Sequence, residues 1–164
     1  HPDHGTSDGL SLGIGEGGIG LGPKRTVRAE LIKKRIPRNS TALWNLGSKE
    51  INVLFHDVRL SKKDTYENTF DSPAEEWLPI GFDSILAAQA IFPLVSQFEM
   101  AGNPGENDVA GAAHGRIDAP WPIIAKRGRN ISEYGTRFVS SYEHIDDYKQ
   151  INIVDIANAL AAFI

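Results

Sequence analysis

Apolar residues recur at helical spacing most clearly near the C-terminus. Ile153, Ile156, Ala157, Leu160 and Phe163 fall on one face of a helix over about residues 152–164, and that face is expected to be buried. "NISEYGTRFVSSY" predicts a second amphipathic helix with Ile131, Tyr134, Phe138 and Val139 on one side. "FDSILAAQAIF" predicts a helix capped by Asp83 or Ser84 and closed by Pro93. "SPAEEWL" reads as a helix start, with Ser72 at the cap, Pro73 in the first turn and Glu75 at the third position, cut short by Pro79. "GNPGENDVAGAAHG" gives a turn and then a short helix, and "APWPIIAKRGR" one or two helical turns. Only "INVLFHDVRL", with Val53, Phe55 and Val58, suits a short strand or a hairpin arm with "KDTYENTF". The predicted class is mainly α: short helices and long structured loops, with a small β-hairpin, in one domain over residues 1–164. Loops this long in a small domain usually line a binding site or a cofactor.

The first 22 residues hold eight of the 16 glycines and few bulky side chains, and read as loop. Residues 23–38 carry seven Lys or Arg and one Glu. This is a solvated basic face with room for a short helix.

Composition narrows the chemistry. With 164 residues, 41% hydrophobic and 23% charged, the chain suits one ordinary globular domain with a sizeable core. A net charge of -4 gives no global bias toward nucleic acid or membrane, and no apolar stretch is long enough to span a bilayer. The absence of cysteine removes disulfides, a thiolate nucleophile, zinc knuckles and thioether links within this chain. The chain opens on polar "HPDHGTSDG" and closes on apolar "ANALAAFI" without a cap. Both ends read as cut, so a segment of a longer protein is expected.

"GIGEGGIGLG" contains G-x-G-x-x-G twice, at Gly13, Gly15, Gly18 and at Gly15, Gly17, Gly20. A dinucleotide loop needs a strand just before it and a helix opening within it. Here a short polar stretch precedes it and "LGPKR" follows, so a side-chain-poor loop packed against something flat or bulky is the better reading. His1 and His4 form a weak metal pair without third ligands nearby, and His56, His114 and His144 are isolated. No G-x-S-x-G supports serine hydrolase chemistry. Glu75/Glu76 and Asp146/Asp147 read as partners of helix starts and turns.

"AAQAIFPLVSQFEMAGNPGEN" is more informative. Gln89 lies on a helix that Pro93 ends, and Glu99 follows ten residues after Gln89. The two are expected to face one small pocket. A Glu among Phe92, Phe98 and Met100 would resist ionisation and could shuttle protons; a solvated loop Glu is the alternative.

Taken in order, "RNSTALWNLG", "LFHDVR", "LAAQAIFP", "FEM" and the closing "INIVDIANALAAFI" resemble the N-terminal haem domain of the bacterial di-haem cytochrome c peroxidases. That superfamily includes the di-haem enzyme that matures methylamine dehydrogenase. Its haem-attachment motif C-x-x-C-H is followed by a glycine-rich loop, an aromatic-Asp-Gly-Arg segment, and a Gln and Glu ten apart with a Pro four after the Gln. Gln89, Pro93 and Glu99 keep that spacing, and "LFHDVR" stands for the aromatic-Asp-Gly-Arg segment. The resemblance covers nearly the whole chain, with an extra stretch around residues 60–82.

The resemblance implies a cytochrome c-like haem domain. Its C-x-x-C-H lies just upstream, "HPDHGTSDG" continues that motif, and a second haem domain lies downstream. The implied activity is reduction of hydrogen peroxide in the periplasm, with electrons from a small donor such as a cytochrome c or cupredoxin. The implied cofactor is haem c, with a structural calcium that Asn39 helps to hold. Glu99 resembles the acid/base that takes a proton from peroxide and returns it to the leaving oxygen, and Gln89 orients peroxide or water. Gly15, Glu16, His56, Arg59 and Pro93 would surround the cofactor, Arg59 as an anchor for a loop or a propionate.

Two departures follow from the same match. In better-known members a loop His can cap this haem and must leave on activation. Here the loop has Glu16 and no His between His4 and His56, so the site is open or otherwise capped. The Trp thought to carry electrons between the haems appears as His56, and imidazole is a poorer hole carrier than indole. The rival reading is a non-enzymatic helical binding or scaffold domain, a degenerate relative without haem, whose basic arm from Lys24 to Arg38 docks an acidic protein. Without haem the segment is expected to be only marginally stable.

Overall fold

A computed structural model of the chain describes residues 44–164 and, before them, four two-residue strands: β1 (Ser11–Leu12), β2 (Gly18–Ile19), β3 (Thr26–Val27) and β4 (Arg35–Ile36). β1 pairs antiparallel with β4, Ser11 opposite Ile36, and β2 with β3, Gly18 opposite Val27. The sequence reading of loop and then a possible short helix is corrected at these positions. Thr26, Val27 and Ile36 are β-branched, and their restricted χ1 suits a pleated ladder better than a helix.

A third sheet is three-stranded and antiparallel, in the order β5 (Val53–Leu54), β6 (Leu60–Lys62), β7 (Phe70–Asp71). The expected hairpin forms, but its first turn falls inside "LFHDVR". Leu54 stands opposite Leu60 and both are buried, which fixes the register because a one-residue slip would turn both leucines outward. The chain reverses between them through a turn closed by Val58 N–H donating to the Phe55 carbonyl (3.2 Å).

The rest is helical: α1 (Ile85–Ala90), α2 (Asp108–Gly115), α3 (Pro120–Arg129), α4 (Ser132–Ser141) and α5 (Ile153–Phe163). A π-helical turn spans Gln97–Ala101, and 3-10 turns span Glu75–Trp77 and Tyr148–Gln150. The caps follow the sequence. Ser84 accepts from the Ala87 amide at the start of α1, and Asn152 with Asp155 forms a reciprocal capping box on α5. "SPAEEWL" yields only the single 3-10 turn. Its Ser72 is nevertheless buried and accepts from the Ala74 amide (3.2 Å).

The core joins the sheet to α1, α3 and α5. Leu54, Leu60, Phe70, Ile85, Ala88, Ile91, Phe92, Trp121, Ile153 and Ala157 form one buried cluster. Trp121 is 2% exposed and donates its indole N–H to the Ile91 carbonyl (3.4 Å), so the end of α1 is satisfied from α3. Asn158 on α5 donates to the Gly81 carbonyl and accepts from the Asp83 amide, each at 3.0 Å, which ties α5 to the approach of α1.

Two predicted faces are corrected. On α5 the buried side is Ile153 and Ala157, with Val154 and Ala161 packed against the core, whereas Leu160 is 47% and Phe163 90% exposed. On α4 Ile131, Tyr134 and Val139 are exposed and Gly135 is buried. A Cβ at Gly135 would lie 3.0 Å from the Tyr148 Cβ, so α4 meets the rest of the fold closely at its smallest residue, while Tyr134 and Val139 are exposed and Phe138 is half-buried against Tyr142.

Candidate active site around Glu99

Glu99 sits in the middle of the π-helical turn Gln97–Ala101. The i→i+5 bonds, Ala101 N–H to the Ser96 carbonyl (3.0 Å) and Gly102 N–H to the Gln97 carbonyl (3.2 Å), widen the backbone around it. Such turns frequently occur at functional sites. Pro93 cannot continue α1, and its carbonyl accepts from the Met100 amide (3.2 Å). The helix stop and the Glu99 turn are thus one folded unit.

Glu99 lines a cavity of about 280 Å³ with Arg59, Phe92, Val95, Ser96 and Ile117. Its remaining wall is Pro73 and Ala113. Arg59 comes from the β5–β6 turn and Phe92 from the end of α1. The Arg59 guanidinium lies 4.3 Å from the centre of the Phe55 ring, and Phe55 meets Phe92 edge-on at 6.1 Å. Arg59 also pairs with Asp57 (3.6 Å). Phe55 and Val58 both have positive φ, 66° and 60°, uncommon for residues with a Cβ and an outlier for a β-branched one. Strain of this kind persists where the surrounding structure imposes it, and here it presents Arg59 to the cavity.

The Glu99 side chain is half-buried, and among the described residues nothing hydrogen-bonds its carboxylate. Among the described residues, nothing therefore competes for its two oxygens with an incoming O–H. Its surroundings differ from the sequence expectation: Phe92 lines the cavity and Phe98 is half-buried, but Met100 is 45% exposed. Gln89 is half-buried on α1 and is not among the residues lining this cavity. Its carbonyl accepts from the Phe92 amide (3.2 Å) in the turn that ends α1. His56 is exposed at the tip of the β5–β6 turn. Gly15, Glu16 and Asn39, with His1 and His4, lie outside the described residues. His114 is exposed, and His144 pairs with buried Asp155 (2.8 Å), away from Glu99.

The sequence reading missed Phe55 and the α2 side of the cavity. Phe55 has a signal, since an aromatic residue four before Arg59 in a tight turn can stack under its guanidinium. Ala113 and Ile117 have none, because only the packing of α2 brings them to Glu99. Among the described residues no group of three or more His, Cys, Asp or Glu could hold a metal ion, and no helix is long and apolar enough to cross a membrane.

The cavity brings together a half-buried carboxylate with no hydrogen-bond partner among the described residues, a guanidinium and an apolar wall. The chain belongs to the di-haem cytochrome c peroxidase family, whose model matches residues 1–164. No curated protein and no solved structure matches it.

These residues fit one side of a haem pocket. Glu99 and Arg59 would suit the polar side of a haem and a propionate, and Phe92, Val95 and Ile117 its apolar ring, with Phe55 behind Arg59 and Phe92. The chain has no cysteine, and no described His lines the cavity, so attachment and axial ligation fall to groups other than these.

Proposed function

We propose that this chain is the N-terminal haem domain of a periplasmic di-haem peroxidase that reduces hydrogen peroxide to water. The observation that carries this reading is the Glu99 carboxylate, without a hydrogen-bond partner among the described residues, lining a cavity with Arg59 and Phe92 in a chain of this family. A bound haem c would supply the electrons for cleaving the O–O bond. Two electrons and two protons convert one peroxide into two waters. The electrons come from a small donor protein, a cytochrome c or a cupredoxin, by way of a second haem domain.

The chain's own residues manage the proton. A Glu99 oxygen accepts the proton from one end of the peroxide and then donates it to the other oxygen, so that this oxygen leaves as water rather than hydroxide. Arg59 contributes fixed positive charge to the same cavity and would hold a propionate of a bound haem by charge-assisted hydrogen bonds. Phe92, Val95 and Ile117 keep bulk water from competing for the Glu99 proton. Gln89, which does not line this cavity, is left without a direct part in it, and Pro93 sets where α1 ends. By the family resemblance, Gly15, Glu16 and His56 would be cofactor-binding residues when haem is bound, and Asn39 would be a ligand of a structural calcium.

The test uses the full-length protein expressed in a periplasm. The sequence upstream should encode C-x-x-C-H, and the product should carry a Soret band. Glu99→Gln should leave that band intact and reduce peroxide turnover by about 10²-fold or more. Unchanged turnover would remove Glu99 from the acid/base role.

A further inference from the structure

The π-helical turn that carries Glu99 is held at both ends by asparagine side chains. At its first residue, Gln97 Nε2 donates to Asn103 Oδ1 (3.0 Å). Asn103 in turn donates from its backbone N–H and its Nδ2 to the Glu106 carboxylate, at 2.8 and 3.0 Å. At its last residue, the Ala101 carbonyl accepts from Asn107 Nδ2 (2.9 Å). Asn107 also caps α2, its Oδ1 accepting from the Ala110 amide (2.9 Å). A carbonyl on one side and an N–H on the other allow only one orientation of this amide. One rigid planar group therefore sets the position of the Glu99 turn relative to α2, and α2 supplies Ala113 to the wall of the Glu99 cavity.

We propose that Asn107 is a positioning residue for Glu99. Its amide fixes the carboxylate against the α2 wall at the distance that peroxide requires. The inference rests on the peroxidase reading above. Ordinary helix capping does not account for the second bond. Serine or aspartate would cap α2 as well, and neither reproduces the amide donor to Ala101.

That difference supplies the experiment. Asn107→Ser and Asn107→Asp keep the cap acceptor and remove the amide donor. They are compared with wild type in the haem-loaded full-length protein, alone and combined with Glu99→Gln. Both should keep the haem spectrum. The kcat for hydrogen peroxide should fall by about tenfold to 10²-fold with KM changed little, as expected for a reacting group displaced by an ångström or less. Residual single-turnover rates should be no lower in Asn107→Ser/Glu99→Gln than in Glu99→Gln, because the two residues act as one unit. Hydrogen exchange at the Met100 and Ala101 amides should be faster in the single variants.

A kcat within twofold of wild type in whichever of these variants folds overturns the inference, as does an additive loss in the double variant. If Glu99→Gln abolishes turnover and Asn107→Ser does not reduce it, the inference alone fails. If Glu99→Gln leaves turnover unchanged, the peroxidase role of Glu99 fails and the inference falls with it.

Discussion

The Pro93 carbonyl accepts a hydrogen bond from the Met100 amide at 3.2 Å, so the residue that stops α1 also holds the backbone next to Glu99. The spacing of Gln89, Pro93 and Glu99 is thereby tied to a physical arrangement. A helix is stopped, its exposed carbonyl is reused, and a carboxylate is carried back over the helix end into a cavity.

The exit from the Glu99 turn depends on Gly102, which is buried with φ 85° and ψ -170°. This backbone region is open to glycine and strained for residues with a Cβ. Gly102→Ala should destabilise the haem-loaded protein by about 1–3 kcal/mol in urea unfolding and lower peroxide turnover along with it. Wild-type stability in that variant would contradict the observed turn.

Arg59 and Phe55 should be energetically coupled. A double-mutant cycle of Arg59→Ala and Phe55→Leu, followed by urea unfolding, should give a coupling of about 0.5–1 kcal/mol, the range for an exposed cation–π contact. Arg59→Lys should retain part of it but not the forked hydrogen bonding to an anion. Strict additivity would mean the stack does not persist in solution.

Two leucines that look alike in sequence should behave very differently. Leu60 is fully buried opposite Leu54, whereas Leu160 is 47% exposed. Leu60→Ala should cost about 2–5 kcal/mol by chemical denaturation. Leu160→Ala should stay within about 0.5 kcal/mol of wild type. Equal losses would restore the helix face expected from periodicity.

The start of α5 should depend on Asp155 more than on its partner His144. Asp155 is 6% exposed and accepts from the Asn152 amide at 2.9 Å, while His144 is 64% exposed. Asp155→Ala removes one half of the capping box, the acceptor of the part-buried Asn152 N–H bond, and should cost about 0.5–2 kcal/mol. His144→Ala removes one exposed ion-pair partner and should cost less than about 1 kcal/mol. The reverse order would show that the ion pair, not the capping box, holds the helix.

Much of the local structure was legible because it rests on short-range chemistry. Ser84 caps its helix wherever that helix packs, and Pro93 removes the donor that α1 would need to continue. The hairpin was readable for the same reason. What misled was periodicity at helix surfaces. Ile153, Ile156, Ala157, Leu160 and Phe163 share a stripe, but the core takes Ile153, Ala157 and Ala161 and leaves Leu160 and Phe163 exposed. On α4 a close contact falls at Gly135 instead, while Tyr134 and Val139 stay exposed.

The sequence by itself determined that this is a mainly helical domain, where its caps and stops lie, and that Gln89, Pro93 and Glu99 stand at the spacing found in the di-haem peroxidases. Tertiary structure alone decided which of these residues meet. Glu99 shares its cavity with Arg59 from a strand turn forty residues earlier in the chain and with Ala113 from α2, while Gln89 does not line it. Caps and proline stops depend on neighbours within a turn, which the sequence lists in order. A cavity depends on the angles at which separate elements pack, and those are set by the whole core around Leu60, Ile91 and Trp121.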